Sequence, residues 1–338
     1  MAKKKGGKGK GGGGDDNQEA ERRDTFCKNF KAFCAEYKVQ DELKADVEAA
    51  FSKDGPVTKM FLTQKHDSIS MHALCDCIKG SRYDYLKSLV FLNCGFGDKV
   101  ATNLAETLKY TNVECLELKD CEAGLGFSRA LGEYLSSGRH AKLQKLAIDF
   151  NPIGTEGAKL ISKGLANNLV LKELSLQYCD IDSKGGKYLG EMLWPLQDPE
   201  NPGRPHPNPE MKKPLEVLNL CGNPLECAGV GMLAQGLARN RTLKALNLEN
   251  TSFGANVLAT QALSEACALC ETLQSINIYG NLISNLGAEV LLKYMRCEHI
   301  TDIQLTQFID KELYSNIKDW VSENKPKKKS KKGKKKKK

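Results

Sequence analysis

One leucine pattern constrains the fold of this chain more than any other feature: L-x-x-L-x-L-x-x-(N/C)-x-L, or a close relative of it, occurs eight times. The clearest copies begin at Leu143, Leu171, Leu215, Leu243 and Leu273, and the weaker copies begin at Leu86, Val113 and Ile300. A repeat of about 28 residues indicates one supersecondary unit stacked on itself, so the sequence predicts a solenoid. An array of this kind favours binding over catalysis.

Each repeat contains a predicted strand and a predicted helix. The leucines define the strand, and a bend leads into a stretch with helical spacing, such as 154–168. Four apolar residues of this stretch share one helical face: Ala158, Leu160, Ile161 and Leu165. A degenerate copy is also expected at 57–62, because its apolar residues lie 29 residues before those of the copy at Leu86.

The extended pattern in 143–165 includes the two glycines of L-G-x-x-G at the start of the helix. It resembles the ribonuclease-inhibitor class of leucine-rich repeats, and the resemblance covers about 57–310. This implies an α/β solenoid, a horseshoe arc with a parallel sheet on its concave face and helices on its convex face. The class also includes the GTPase-activating protein for Ran, the sensor domains of NOD-like receptors and several axonemal proteins. Its members share a scaffold rather than an activity.

The repeats form the central part of the chain, and the segments on either side of them differ in composition. The predicted segments are a disordered basic Gly/Lys tail at 1–17, a helical N-terminal cap at 18–56, a solenoid of about eight or nine repeats at 57–310, a capping helix at 311–324 and a disordered poly-Lys tail at 325–338.

A proline-rich insertion interrupts the array. The step from Leu171 to Leu215 is 44 residues long, and the additional residues lie in 195–214. This segment cannot continue a helix or a strand ladder, so it is predicted to be an extended surface loop. It is either a tolerated insertion or a docking and regulatory loop.

Charge is distributed unevenly along the chain. The formal net charge is +8, but residues 1–14 hold five lysines and residues 325–338 hold eleven. Removing these sixteen leaves 34 basic against 42 acidic residues, so the body of the chain has a charge of about −8. The tails are predicted to bind a polyanion such as tubulin, nucleic acid or anionic lipid. A nuclear address and a solubilising role are the alternatives. The candidate polyanion-binding residues are Lys327, Lys328, Lys329, Lys331, Lys332, Lys334 and Lys335.

The candidate partner-binding residues come from the outward positions of the predicted strands. In a parallel repeat sheet the leucines point into the core, so the intervening residues face outward on the concave side. The candidates are Glu117, Asp120, Asp149, Phe150, Glu173, Gln177, Tyr178, Asn219, Asn247, Glu249, Asn277 and Tyr279.

Two aromatic residues stand out among these candidates. Phe150 and Tyr178 occupy equivalent positions of neighbouring repeats, which predicts side chains about 5 Å apart. Four carboxylates surround them in the predicted register, so the pair is a candidate seat for a basic partner. The alternative is that both rings only cover the bend. The asparagines at 219, 247 and 277 are predicted to form a polar ladder on the same face.

Catalytic and metal-binding patterns are weak in this sequence. No phosphate loop, nucleophile elbow or H-E-x-x-H motif occurs. Neither Cys75 with Cys77 nor Cys267 with Cys270 has the second well-spaced pair of a zinc site. A non-enzymatic protein without metal or cofactor is therefore expected. The cysteines are expected to be reduced, and Cys94, Cys121 and Cys179 to be structural, because each occupies the N/C position of a repeat.

These features together predict a protein-interaction scaffold. No apolar run is long enough for a membrane span and no secretory signal is present, so a cytoplasmic protein is expected, a monomer within a larger complex. The lysine/glycine-rich ends resemble those of axonemal proteins, which implies the cytoskeleton of a cilium or flagellum. The alternatives are a regulator of a small GTPase, of the activating type, and a nuclear, nucleolar or ribosome-associated adaptor.

Overall fold

The computed structural model describes residues 15–52, 55–137, 141–198, 200–201, 204, 206–208 and 210–325. The candidate lysines between 327 and 335 lie outside these residues. Within the described part, nine parallel strands form a single sheet in chain order, from β1 to β9. The strands are β1 (Lys59–Leu62), β2 (Ser88–Leu92), β3 (Cys115–Lys119), β4 (Lys145–Ala147), β5 (Glu173–Ser175), β6 (Val217–Asn219), β7 (Ala245–Asn247), β8 (Ser275–Asn277) and β9 (Asp302–Gln304). The predicted α/β repeat solenoid is confirmed.

Helices alternate with these strands. They are α1 (Asp15–Tyr37), α2 (Asp41–Phe51), α3 (Ser68–Ser81), α4 (Gly97–Thr107), α5 (Leu125–Leu135), α6 (Gly154–Leu165), α7 (Ser183–Leu193), α8 (Glu226–Leu237), α9 (Val257–Leu269), α10 (Asn285–Tyr294) and α11 (Lys311–Glu323). A short 3₁₀ turn, Leu108–Tyr110, follows α4. From α3 to α11 each helix follows a strand, and neighbouring helices pack against each other.

The leucine pattern sets the register of the sheet. Leu146 of β4 pairs with Leu174 of β5, and both side chains are buried. At the start of the array, Met60 pairs with Leu89, which is the offset of 29 residues that the degenerate copy predicts. Because every repeat contributes its leucines at the same register, the core is continuous from one end of the sheet to the other.

Buried polar side chains bind the bends that follow the strands. Asn151 accepts hydrogen bonds from the backbone N–H groups of Cys121 and Ala123, both at 3.0 Å. It also donates to the carbonyls of Leu118 and Ile148, at 2.7 and 2.9 Å. Asn223 and Asn281 make equivalent contacts in later repeats. Asn151 therefore ties two successive repeats together.

Cysteine replaces asparagine at this position in three repeats. Cys94, Cys121 and Cys179 are fully buried, and each thiol donates to nearby backbone carbonyls at 3.3 to 3.5 Å. Burial raises the pKa of Cys179 to about 12. These three thiols are structural, as the repeat pattern predicts.

The first two helices pack on the start of the array. Phe26 of α1 stacks on Phe51 of α2, with ring centroids 4.3 Å apart, and both contact Tyr83. The helix α1 begins at Asp15, inside the segment 1–17 for which the composition predicts disorder. The apolar cluster of α1, α2 and α3 joins the core of the repeats.

The proline-rich insertion folds back on itself instead of extending outward. Asp198 N–H donates to the carbonyl of Arg204 at 2.9 Å, and His206 N–H donates to the carbonyl of Leu196 at 2.9 Å. Leu196 is buried. Prolines restrict the backbone but leave these other residues free to pair, so described residues from the two sides of the insertion pair with each other between α7 and β6.

Candidate functional site

The turn after each strand from β2 to β8 contains a residue in the left-handed backbone conformation. From the turn after β2 to the turn after β8, these residues have φ from 50° to 72°. In chain order they are Asn93, Asp120, Phe150, Tyr178, Gly222, Asn250 and Gly280. We call these seven residues the left-handed row. Glycine, asparagine and aspartate tolerate this conformation, whereas for bulky side chains it is an outlier.

Hydrogen bonds between repeats hold the row in this conformation. The N–H of Phe150 donates to the carbonyl of Gln177, and the N–H of Tyr178 donates to the carbonyl of Cys221, both at 2.8 Å. The same bond recurs along the row, so the parallel pairing continues beyond the strands. The repeat therefore imposes the left-handed turn, and it does so even where the residue is aromatic.

Phe150 and Tyr178 form a stacked pair on this row. Their ring centroids lie 4.9 Å apart with an interplanar angle of 8°. This is the spacing that the repeat register predicts. Phe150 is 51% exposed and Tyr178 is 43% exposed, so both rings remain open to solvent. Strained backbone positions cluster at functional sites, and tyrosine is enriched at interfaces.

Gly222 supports this pair, and sequence reasoning missed its role. A Cβ at Gly222 would overlap the ring of Tyr178. The ring therefore lies directly over the Gly222 backbone, and Phe150 stacks on the other side. The signal was present in the sequence, because Gly222 occupies the same position of its repeat as the two aromatic residues.

Lysines neutralise part of the predicted acidic ring. Glu117 lies 3.0 Å from Lys145 Nζ and 3.4 Å from Lys119 Nζ. Burial raises the pKa of the Glu117 carboxyl, but the hydrogen bond from Lys145 and the charges of both lysines outweigh this effect and lower it. Glu117 is therefore already paired within the protein and is not free to pair with a basic partner.

Asp149 is also used internally. It is only 1% exposed. Its carboxylate accepts hydrogen bonds from Ser175 Oγ at 2.6 Å, from the Gln177 backbone N–H at 3.0 Å and from Gln177 Nε2 at 3.2 Å. Lys119 Nζ lies 3.7 Å away. This carboxylate connects two repeats beneath the aromatic pair, so Asp149 and Gln177 support the site from inside.

Two carboxylates of the predicted ring remain exposed. Neither Asp120 nor Glu173 forms an ion pair within the part of the chain that the structure describes. Asp120 precedes Phe150 in the left-handed row, and its N–H donates to the carbonyl of Asp149 at 3.0 Å. The exposed end of the aromatic stack is therefore next to a free carboxylate.

The asparagine ladder lies further along the sheet. The side-chain oxygens of Asn219, Asn247 and Asn277 accept backbone N–H bonds from the residues two positions later, at 2.9 to 3.1 Å. Asn277 Nδ2 also donates to Glu249 at 2.8 Å. Tyr279 is 49% exposed at the end of this group. The twelve candidates thus form two groups, one around the aromatic pair and one from Asn219 to Tyr279.

The described residues contain no group of three or more His, Cys, Asp or Glu side chains placed to hold a metal ion. Cys267 and Cys270 are both buried, and His299 Nε2 contacts the backbone carbonyl of Cys267 at 3.1 Å. No helix in the described part of the chain is both long and apolar enough to cross a bilayer.

Comparisons with known proteins agree with this fold. Residues 139–162 and 167–190 match the family model described as leucine rich repeat. Over 250 residues, 71% of this chain, the sequence is 28% identical to NACHT, LRR and PYD domains-containing protein 4C of Mus musculus, of which it covers 20%. Over 184 residues, 53% of this chain, it is 28% identical to the ribonuclease inhibitor of Mus musculus, of which it covers 35%. The chain therefore spans about a third or less of these relatives.

A solved structure with a similar arrangement is the actin-binding site 2 of leiomodin-1. It is 13% identical in sequence, with a TM-score of 0.38 over 57% of this chain and 86% of that one. A resemblance at this level does not extend to function.

Proposed function

We propose that this protein, which is a leucine-rich repeat protein of the ribonuclease-inhibitor-like class, is a non-catalytic scaffold that binds a partner protein through its aromatic pair. Proteins of this class generally act by binding other proteins. The mouse relative is, by its name, an inhibitor of ribonuclease and so acts on another protein.

The observation that carries the proposal is the exposed stack of Phe150 on Tyr178 in left-handed turns. Residues in this conformation cost about 1–3 kcal/mol each, and glycine would avoid the strain. The stack returns only about 0.5–1.5 kcal/mol. Folding alone therefore does not explain why two large rings occupy these positions, whereas rigid aromatic anchors are frequent hot spots of protein interfaces.

The chemistry of the partner follows from the exposed end of the stack. Asp120 supplies a free carboxylate beside the outer face of Phe150. An arginine or lysine of the partner could lie over this ring and pair with Asp120 at the same time, which combines a cation–π contact with an ion pair. Glu117 and Asp149 do not contribute, because Lys119 and Lys145 already neutralise them. We therefore propose a partner with a local basic side chain rather than a highly basic surface.

The second group of candidates would extend this contact. The amide groups of Asn219 and Asn247 have no partner for Nδ2 among the described residues. Together with Tyr279 they offer hydrogen-bond donors and a further aromatic ring. A partner that spans both groups would lie across several repeats, as is usual for the concave surfaces of solenoids.

We further propose a place for the scaffold at the cytoskeleton of a cilium or flagellum, with the lysine-rich ends as a tether to a polyanion. The support is the resemblance of these ends to those of axonemal repeat proteins. Imaging the tagged full chain beside a variant with the lysines after Lys325 replaced by glutamine would test the tether. Unchanged localisation of this variant would contradict the proposed role of these lysines as a tether.

The site itself is tested by affinity capture from the native cell with quantitative mass spectrometry. The full chain is compared with the Phe150→Ala and Tyr178→Ala variants. The matched control is Tyr110→Ala, because Tyr110 is also half exposed but lies at the opposite edge of the sheet. We expect both site variants to lose the same specific protein at least tenfold while Tyr110→Ala retains it. Full retention by the site variants would show that the aromatic pair is not the contact.

A further inference from the structure

A cationic cleft lies where the loops before β2, β3 and β4 meet. These loops are at the edge formed by the N-terminal ends of the strands, opposite the C-terminal ends that carry the left-handed row. It has a volume of about 660 Å³. The basic residues around it are Arg22, Arg82, Lys109 and Lys142. Asp84 is the single acidic residue of its lining, and it is paired with Arg22. Three cations therefore remain without an acidic partner in the cleft.

Cations near the C-terminal ends of helices often have a structural role, because they complement the helix dipole and bind its last carbonyls. The same edge contains two such cases. Lys213 Nζ donates to the carbonyl of Met192 at 3.0 Å, and Arg241 Nη1 donates to the carbonyl of Ala238 at 3.0 Å.

The cations of the cleft behave differently. Arg82, Lys109 and Lys142 are exposed, and none of them has a side-chain hydrogen bond or ion pair within the described part of the chain. They are consequently available to a ligand. Their positions on three successive loops place a row of positive charge across the first repeats.

An aromatic ring accompanies these charges. Tyr110 also lines the cleft and is 50% exposed. Lys79 Nζ lies 5.2 Å from the centroid of its ring. An exposed ring beside free cations is the combination that binds single-stranded nucleic acid, since the ring stacks on a base while the cations contact phosphates. An acidic peptide would use the cations but would have no need of the ring.

Both ends of the described part of the chain lie on this side of the sheet. The start of α1 lies against the loop before β2, where Tyr83 Oη donates to Glu19 at 3.4 Å. At the other end, Asn324 donates to the carbonyls of Cys297 and Ile300 in the loop before β9, at 2.6 and 2.8 Å. The described chain thus begins beside the loop before β2 and ends beside the loop before β9, on the same side of the sheet.

We infer that this cleft binds single-stranded nucleic acid, with the base of one nucleotide on Tyr110 and phosphates on Arg82, Lys109 and Lys142. The lysine-rich ends add attraction that is independent of sequence. The cleft goes beyond the proposed scaffold function and does not depend on it, because the aromatic pair lies at the other edge of the sheet.

The test measures fluorescence anisotropy of labelled U₁₂ RNA and dT₁₂ DNA with the full chain, from low to moderate salt. In one variant Arg82, Lys109 and Lys142 are replaced by glutamine. Its matched control carries glutamine at Lys163, Lys184 and Lys311, three exposed lysines outside the cleft. We expect the cleft variant to lose at least tenfold in affinity. The slope of log K against log salt should also become less negative by about 2, because each of the three lost phosphate contacts contributes about 0.7.

Two single substitutions separate the role of Tyr110 from the general effect of removing an exposed ring. Tyr110→Ala should lose at least fivefold in affinity with an unchanged salt slope, because it removes stacking and no charge. Phe308→Ala, which removes an exposed ring outside both sites, should bind like the parent chain. Tighter binding of U₁₂ than of dT₁₂ would identify RNA as the source of the strand, and the reverse would identify DNA.

Three results would overturn the inference. The first is equal affinity of the cleft variant and the control variant, which would assign the binding to the lysine-rich ends alone. The second is no binding of either oligonucleotide. The third is stronger binding of anionic phosphatidylserine vesicles or of a poly-glutamate peptide, with the same dependence on the cleft residues. Circular dichroism of each variant confirms that the fold is retained.

Discussion

The ring of Tyr178 lies over the backbone of Gly222, in the place that any Cβ at this position would occupy. Gly222 therefore determines where the aromatic pair lies, although it offers no side chain to a partner. Its φ of 72° adds a second requirement for glycine.

Gly222→Ala should weaken both the fold and the site. The added methyl group displaces Tyr178 and strains the left-handed turn, so we expect a loss of about 1–2 kcal/mol in the free energy of unfolding. Partner capture should fall as it does in Tyr178→Ala. The matched control is Gly231→Ala in α8, where a Cβ meets no atom within 4 Å. This variant should be neutral or more stable by about 0.5–1 kcal/mol. Equal stability of the two variants in denaturant titrations would contradict the role of Gly222.

Asn151→Ala should be among the most destabilising single changes in the array. It leaves the N–H groups of Cys121 and Ala123 buried without an acceptor, and each buried unpaired group costs about 1–3 kcal/mol. We expect a loss of about 3 kcal/mol or more. Asn219→Ala removes one half-buried contact and should lose about 1 kcal/mol or less. Denaturant midpoints of the two variants check this order, and a similar loss in both would contradict the role of Asn151 in joining two repeats.

Asp98 caps a helix that is not its own. Its carboxylate accepts the N–H groups of Gly124, Gly126 and Phe127 at the start of α5, all at 2.8 Å. Asp98→Ala should therefore destabilise the protein by about 2 kcal/mol, since three donors and a favourable helix-dipole contact are lost.

A control for this change is Asp182→Ala, which removes the cap of α7 within one repeat. Asp182 accepts the N–H of Lys184 at 2.8 Å and that of Gly185 at 3.3 Å. We expect a loss of about 1 kcal/mol there. Thermal unfolding with calorimetry compares the two. A smaller effect at Asp98 than at Asp182 would show that capping between repeats contributes little.

Lys213 should make the stability of the protein depend on alkaline pH. Burial lowers the pKa of its ammonium group from 10.5 to about 8. Above pH 8 the folded protein loses this proton while the unfolded chain keeps it up to about pH 10.4. The unfolded state then binds more protons, so this group makes stability rise with pH between these values.

Substitution separates this contribution from those of other groups. Lys213→Met should remove the rise between pH 8 and pH 10, because this variant has no ammonium group at the position to lose a proton. Exposed Lys212→Met serves as the control and should follow the parent chain. Denaturant midpoints across this pH range provide the measurement. Parallel curves for the parent and Lys213→Met would contradict the assignment.

Much of the fold could be predicted from the sequence because the repeat is periodic. Once Leu146 and Leu174 are placed in register, the outward positions follow, and with them the neighbouring rings of Phe150 and Tyr178. The insertion at 195–214 was predicted as an extended loop, but its fold-back depends on contacts between Leu196 and His206 that no local pattern encodes. Prolines indicate only where regular structure stops.

The parts that could not be predicted depend on side chains that reach between repeats. The pairing of Lys145 with Glu117 requires a long side chain to cross from β4 to β3. The sequence does not show this pairing, so it predicts more negative charge near the rings than the structure has. Tyr110 and Lys142 lie in loops before strands, where the leucine pattern does not specify which way a side chain points. The cleft between these loops appears only when three repeats are placed side by side.

The left-handed row also limits which residues can replace one another on this surface. A turn that any repeat could form with glycine or asparagine instead carries phenylalanine and tyrosine, and a neighbouring repeat keeps glycine so that the tyrosine ring has room. Glycine or asparagine at the positions of Phe150 and Tyr178 would relieve the backbone strain, so the stability of the fold does not favour the two rings. The three adjacent positions are therefore coupled, because Phe150 stacks on Tyr178 and Tyr178 occupies the space above Gly222. Replacing Tyr178 by a small residue would leave only the positive φ as a requirement for glycine at 222.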